Sequence, residues 1–70
     1  MEFVFTKHAE ERMLQKGINK ESVVDIVCNP HFVSKSFDDR KVASKRLDKL
    51  WSVVFVEEKQ KIVVLTVYFD

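Results

Sequence analysis

His8 and Arg12 stand one helical turn apart in the sequence, the spacing that sets two side chains on one helix face. An arginine there offers a planar fork of donors to a phosphate, and a neutral imidazole beside it can take a proton from a hydroxyl group. The alternative is a solvated pair, with Arg12 matched by Glu11 or by an acid elsewhere. Further along, Arg40, Lys41, Lys45, Arg46 and Lys49 face the single acid Asp48. On a strand, Lys41, Ala43 and Lys45 share one face while Arg40, Ser44 and Arg46 share the other. One such row can neutralise nucleic-acid phosphates; equally, lysines can guard an edge strand against sheet-to-sheet pairing. No aromatic residue interleaves with the row, so base stacking has no platform there. Thr66 and Tyr68 share a face of a late apolar run, where a phenol can donate to a phosphate or leaving oxygen, or simply sit in a core with its hydroxyl satisfied.

Other chemistries find no residues to run on. His8, Cys28 and His31 match no metal-ligand spacing, so no metal or other cofactor is expected. Gly17 is the only glycine, which excludes a glycine-rich phosphate loop, and no serine has a His and an acid in recognisable triad spacing. Cys28 is the only cysteine, so an intramolecular disulfide is excluded.

The elements that must position these residues are marked by caps and breakers. Glu2 to Phe5 predicts a short strand, after which Thr6 caps a helix that runs to about Lys16 and stops at Gly17. Ile18 and Val23 bracket an Asn19 cap as a hydrophobic staple, so a second helix is predicted from Lys20 to about Cys28, ended by Asn29-Pro30. Beyond Pro30 come short runs of β-branched and aromatic residues between charged turns, the pattern of an antiparallel meander. Strands are expected near Phe32 to Phe37, Lys41 to Leu47, Leu50 to Val56 and Lys61 to Phe69. Turns fall at Asp38-Asp39-Arg40, Asp48-Lys49 and Glu57 to Gln60. The last two strands are apolar on both faces, so they should lie at the centre of the sheet.

The fold class is therefore α+β, two N-terminal helices on a four-stranded antiparallel meander with a short N-terminal strand, in one domain over residues 1–70. Seventy residues, 46% of them apolar and 33% charged, exclude both disorder and a second core. A chain this short hides roughly 60% of its unfolded surface, so burial against another chain is expected. Two helices cover one sheet face; the other must meet a partner protein, a second copy or the curl of the sheet on itself, and a protein partner is expected. No membrane partner is expected, because no run approaches the about 18 apolar residues of a span, and residues 1–6 lack a signal-peptide pattern, which predicts a cytoplasmic protein. A net charge of +1 singles out no partner.

Phe5-Thr6-Lys7-His8-Ala9, then Arg12-Met13, Lys16-Gly17-Ile18, Asn29-Pro30, the basic strand and Val64-Leu65-Thr66-Val67-Tyr68 resemble a small prokaryotic family, the domain of unknown function numbered 4258. That family in turn resembles the RelE and BrnT toxins, compact ribonuclease-like proteins many of which pair with an antitoxin. At the end of the last strand, where RelE-type toxins often carry basic or aromatic groups, this sequence reads Tyr68-Phe69-Asp70. The resemblance implies a metal-independent ribonuclease acting on RNA. A base would take the proton of a ribose 2′-hydroxyl, whose oxygen attacks the adjacent phosphate while cations hold the charge. In that assignment His8 is the general base or acid, Arg12 with Lys45 or Arg46 holds the phosphate, and Tyr68 positions it or donates a proton. Two rivals stand beside it: a non-catalytic module that dimerises or binds a partner through its apolar sheet face, and nucleic-acid binding without cleavage through Lys41 to Arg46.

Overall fold

A computed structural model describes residues 1–70. Strand β1 (Glu2–Phe5) leads straight into helix α1 (Lys7–Lys16). The switch is made by Thr6, whose Oγ1 accepts the Ala9 N–H at 3.0 Å and so satisfies one of the free donors of the first turn. Gly17 ends the helix with φ +76°, its N–H bonded back to the Met13 carbonyl, a left-handed cap that a residue with a Cβ adopts at a cost. Helix α2 (Lys20–Cys28) follows at once, capped by Asn19, whose Oδ1 accepts the Ser22 N–H at 2.8 Å. Both helices have the predicted bounds.

The remaining chain forms β2 (Phe32–Lys35), β3 (Lys41–Arg46), β4 (Leu50–Glu58) and β5 (Lys61–Phe69). The sheet has five strands in the order β1-β5-β4-β3-β2, so the late strands are central, as their two apolar faces require. The expected four-stranded antiparallel sheet is corrected on one point. β1 joins it, parallel to β5, with Phe3 opposite Ile62 and Phe5 opposite Val64. Local pattern reveals a strand but not a partner this far along the chain, and the free edge of β5 satisfies the backbone of β1.

Strand ends shift for local reasons. Asp38 and Asp39 take φ of +62° and +60°, folding Phe37 to Arg40 into a tight turn that closes with Arg40 N–H to Phe37 O at 3.3 Å. β2 therefore stops at Lys35 rather than Phe37. β4 gains two residues because Glu57 and Glu58 pair with Ile62 and Lys61, which narrows the last turn to Lys59-Gln60.

One face of the sheet carries the core. Ala9 and Met13 of α1 and Val23 and Ile26 of α2 pack on Ala43, Trp51, Val53, Phe55, Ile62, Val64 and Val67. Fully burying a Val or Ile side chain stabilises by about 1.5–3 kcal/mol. A β-bulge keeps this face apolar: Val54 pairs with Thr66 but Phe55 pairs with Val64, leaving Leu65 as the extra residue. Val64 and Val67 are thereby both buried, although strict alternation would put them on opposite faces.

Candidate functional site

The residues singled out in the sequence are spread over both faces of the sheet. On α1, Ala9 and Met13 point into the core, which leaves His8 exposed and Arg12 half-buried beside it. The Arg12 Nε is buried without a hydrogen-bond partner. Tyr68 lies opposite Ser52 between core-facing Val67 and Phe69, so its ring stands on the face away from the helices, 42% exposed. The sheet itself separates Tyr68 from His8 and Arg12. Proton transfer needs about 2.6–3.2 Å between heavy atoms, so these three do not act on one phosphate in this arrangement.

The basic strand β3 divides its cations in the same way. Lys45 opposes Trp51 on the helix side, where its Nζ meets Asp25 Oδ2 of α2 at 2.7 Å. That bond, followed by one from the Asn29 side chain, holds the Asp25 carboxyl below its ordinary value. Lys41 is paired with Glu57. Arg46, opposite Leu50, points to the other face. Lys45 and Arg46 thus flank the sheet rather than a shared anion, and two of the three strand cations already have acids. His8, Cys28 and His31 form no cluster of metal-ligating side chains; His31 Nδ1 instead accepts the Arg46 N–H at 3.1 Å.

A second group gathers where α1 ends. Lys16 and Lys49 each place an ammonium 4.9 Å from the centre of the Phe69 ring, within cation–π range, and Trp51 meets that ring edge-on. The indole N–H of Trp51 donates to Asp48 at 2.9 Å. That bond, then the one from Lys49, holds the Asp48 carboxyl low. Every charge here has a neighbour, so the group closes the end of the core.

What converges is the face without helices. Across it run three rows read from the strand register: Val4, Val63 and Val56; Thr66, Val54, Val42 and Ser34; and Tyr68, Ser52, Ser44 and Phe32. In the last row the Ser44 and Ser52 hydroxyls bond each other at 2.9 Å and are 6% and 7% exposed. Charges stand at the ends, with Glu2, Lys61 and Glu58 abreast at one end and Arg46 at the other. Ser44 was read in the sequence only as a face neighbour of Arg40 and Arg46, and its bond to Ser52 was missed, although their positions on neighbouring strands were the available signal. No helix is long and apolar enough to cross a membrane.

A family model described as domain of unknown function (DUF4258) matches residues 5–69. No curated protein and no solved structure matches the chain. The match runs from the last residue of β1 to the end of β5 and takes in both helices, so this chain belongs to the DUF4258 family.

Proposed function

We propose that this chain is a binding module whose helix-free sheet face packs against the same face of a second copy. The observation that carries this is the valine-lined surface of β1, β5, β4 and β3, whose central polar pair, Ser44 and Ser52, share a hydrogen bond that is kept on leaving water. Its size fits. At about 3.3 Å per residue and 4.8 Å between strands, the sheet projects roughly 500 Å² before side-chain relief is added, in reach of the about 800 Å² per partner of a standard interface. A two-fold axis across the strands brings Arg46 of one copy nearest to Glu58 of the other, with Lys61 next along the row, and aligned sheets pack about 30° apart. Sedimentation velocity tests the reading. The wild type is expected to run as a dimer, Val54→Lys as a folded monomer, and the milder Val54→Thr as a weakened dimer. A wild type that stays monomeric up to its solubility limit overturns it and leaves the face to an antitoxin-like protein.

RNA cleavage of the RelE and BrnT kind is the second reading, and what favours it is Arg12, half-buried and in no ion pair, one turn from exposed His8. His8 takes the 2′-hydroxyl proton, the oxygen attacks phosphorus, the bond to the 5′-oxygen breaks as the His8 imidazolium gives that oxygen the proton, and Arg12 holds the non-bridging oxygens. Tyr68, Lys45 and Arg46 have no part in this version. Wild type incubated with RNA in EDTA is expected to leave cyclic or 3′-phosphate ends that disappear with His8→Ala; uncut RNA overturns it.

A further inference from the structure

At the corner of the sheet beyond both helices lies a cavity of about 310 Å³, lined by Lys35, Ser36, Asp39, Arg40, Lys41 and Glu57. Its walls come from the β2–β3 hairpin and the end of β4. Lys35 and Lys41 are direct cross-strand partners, and like charges placed opposite each other destabilise a sheet. Glu57 neutralises Lys41, whereas Lys35, Arg40 and Asp39 take part in no ion pair. The cavity is left with three cations against two acids. A lysine on an edge strand guards against aggregation, which accounts for Lys35 alone but not for Arg40, Lys41 and a serine hydroxyl around the same space. The hairpin is also closed by two backbone bonds, Ser36 N–H to Arg40 O at 2.7 Å and Arg40 N–H to Phe37 O at 3.3 Å.

We propose that this corner cavity binds a phosphate group. No hydrophobic side chain lines it, so it offers nothing to a nucleobase or an apolar body. A small, multiply charged oxyanion suits it, with the Arg40 fork and the Lys35 ammonium as donors and Ser36 in reach. The site is independent of the sheet-face interface, because Lys35 and Lys41 project from the helix side of the sheet.

The test is a titration of the full chain followed by backbone amide NMR. Its arms are inorganic phosphate, pyrophosphate and an oligouridylate without terminal phosphates, with sodium acetate matching ionic strength. Saturable shifts are expected at Lys35, Ser36, Arg40 and Lys41 with phosphate or pyrophosphate and not with acetate. Oligouridylate shifting the same amides would place a nucleic-acid diester among the sources, and its failure would restrict the site to terminal or free phosphate. Lys35→Gln with Arg40→Gln should weaken binding at least about a hundredfold, the scale of losing two charge-assisted bonds. Asp39→Asn, which removes a repelling carboxylate, should strengthen it. Shifts that never saturate, that spread over all surface lysines, or that persist unchanged in the Gln double variant overturn the proposal.

Discussion

Arg12 holds its Nε away from water with no acceptor, and an orphaned donor of this kind costs about 1–3 kcal/mol. Arg12→Met keeps the apolar stem of the half-buried side chain and removes the orphan. It is expected to raise unfolding free energy by about 1 kcal/mol in urea, and a loss of stability would show that the guanidinium is held by other contacts. Asp39 stores strain of a different sort, with φ +60° where glycine is preferred in two-residue hairpin turns. Asp39→Gly should gain about 0.5–1 kcal/mol, read from the shift in thermal midpoint. Two other carboxylates set the acid response. Asp25 and Asp48 are both held low in the folded chain, so the stability they contribute is complete above the unfolded value of about 3.9 and disappears as pH falls through the folded one. Melting temperature should hold down to about pH 5 and then fall; Asp25→Asn should flatten that fall, and an unchanged acid slope would refute the assignment. The sequence identified His8 and Arg12 as neighbours because helical spacing is local. It gave no hint that Tyr68 would face away from them, since alternation predicts the two faces of β5 but the bulge at Leu65 decides which face Tyr68 takes.

At the scale of elements, one side chain ties three pieces together. Thr6 caps α1 and also donates its hydroxyl to Leu65 O at 3.2 Å, so it fixes the start of the helix to the bulge of β5. Thr6→Ala is expected to cost about 1–2 kcal/mol, Thr6→Ser much less, as measured by chemical denaturation; equal losses would mean that the methyl group, not the bonds, matters. The helices were legible to the residue because Thr6, Gly17, Asn19 and the Asn29-Pro30 step carry capping and breaking chemistry in their own side chains. The strands were legible in number and centre but not in pairing. Nothing near Glu2 to Phe5 encodes Lys61 to Val64, whereas the hairpin pairs of β3, β4 and β5 follow from short turns. The end of β2 was misplaced because two aspartates in the left-handed region are a turn that composition alone does not announce.

The whole molecule has one protected centre and one weak margin. β4 is paired on both sides from Trp51 to Phe55 and β5 from Lys61 to Val64, while β2 is exposed along its length and leaves Phe32 and Val33 more than half open. Amide exchange should be slowest in β4 and β5 and fastest, among the strands, in β2. Protection of β2 equal to that of β5 would mean that a partner covers the edge instead of the face. The placement of β5 also governs how the chain comes to be folded during synthesis. Its residues are translated after those of every other element, yet they lie between β1 and β4 and supply Ile62, Val64 and Val67 to the core. Until they emerge from the ribosome, β1 has no strand to pair with and α1 has no floor to rest on. A nascent chain ending before Lys61 is therefore a substrate for chaperones and proteases rather than a partly finished domain.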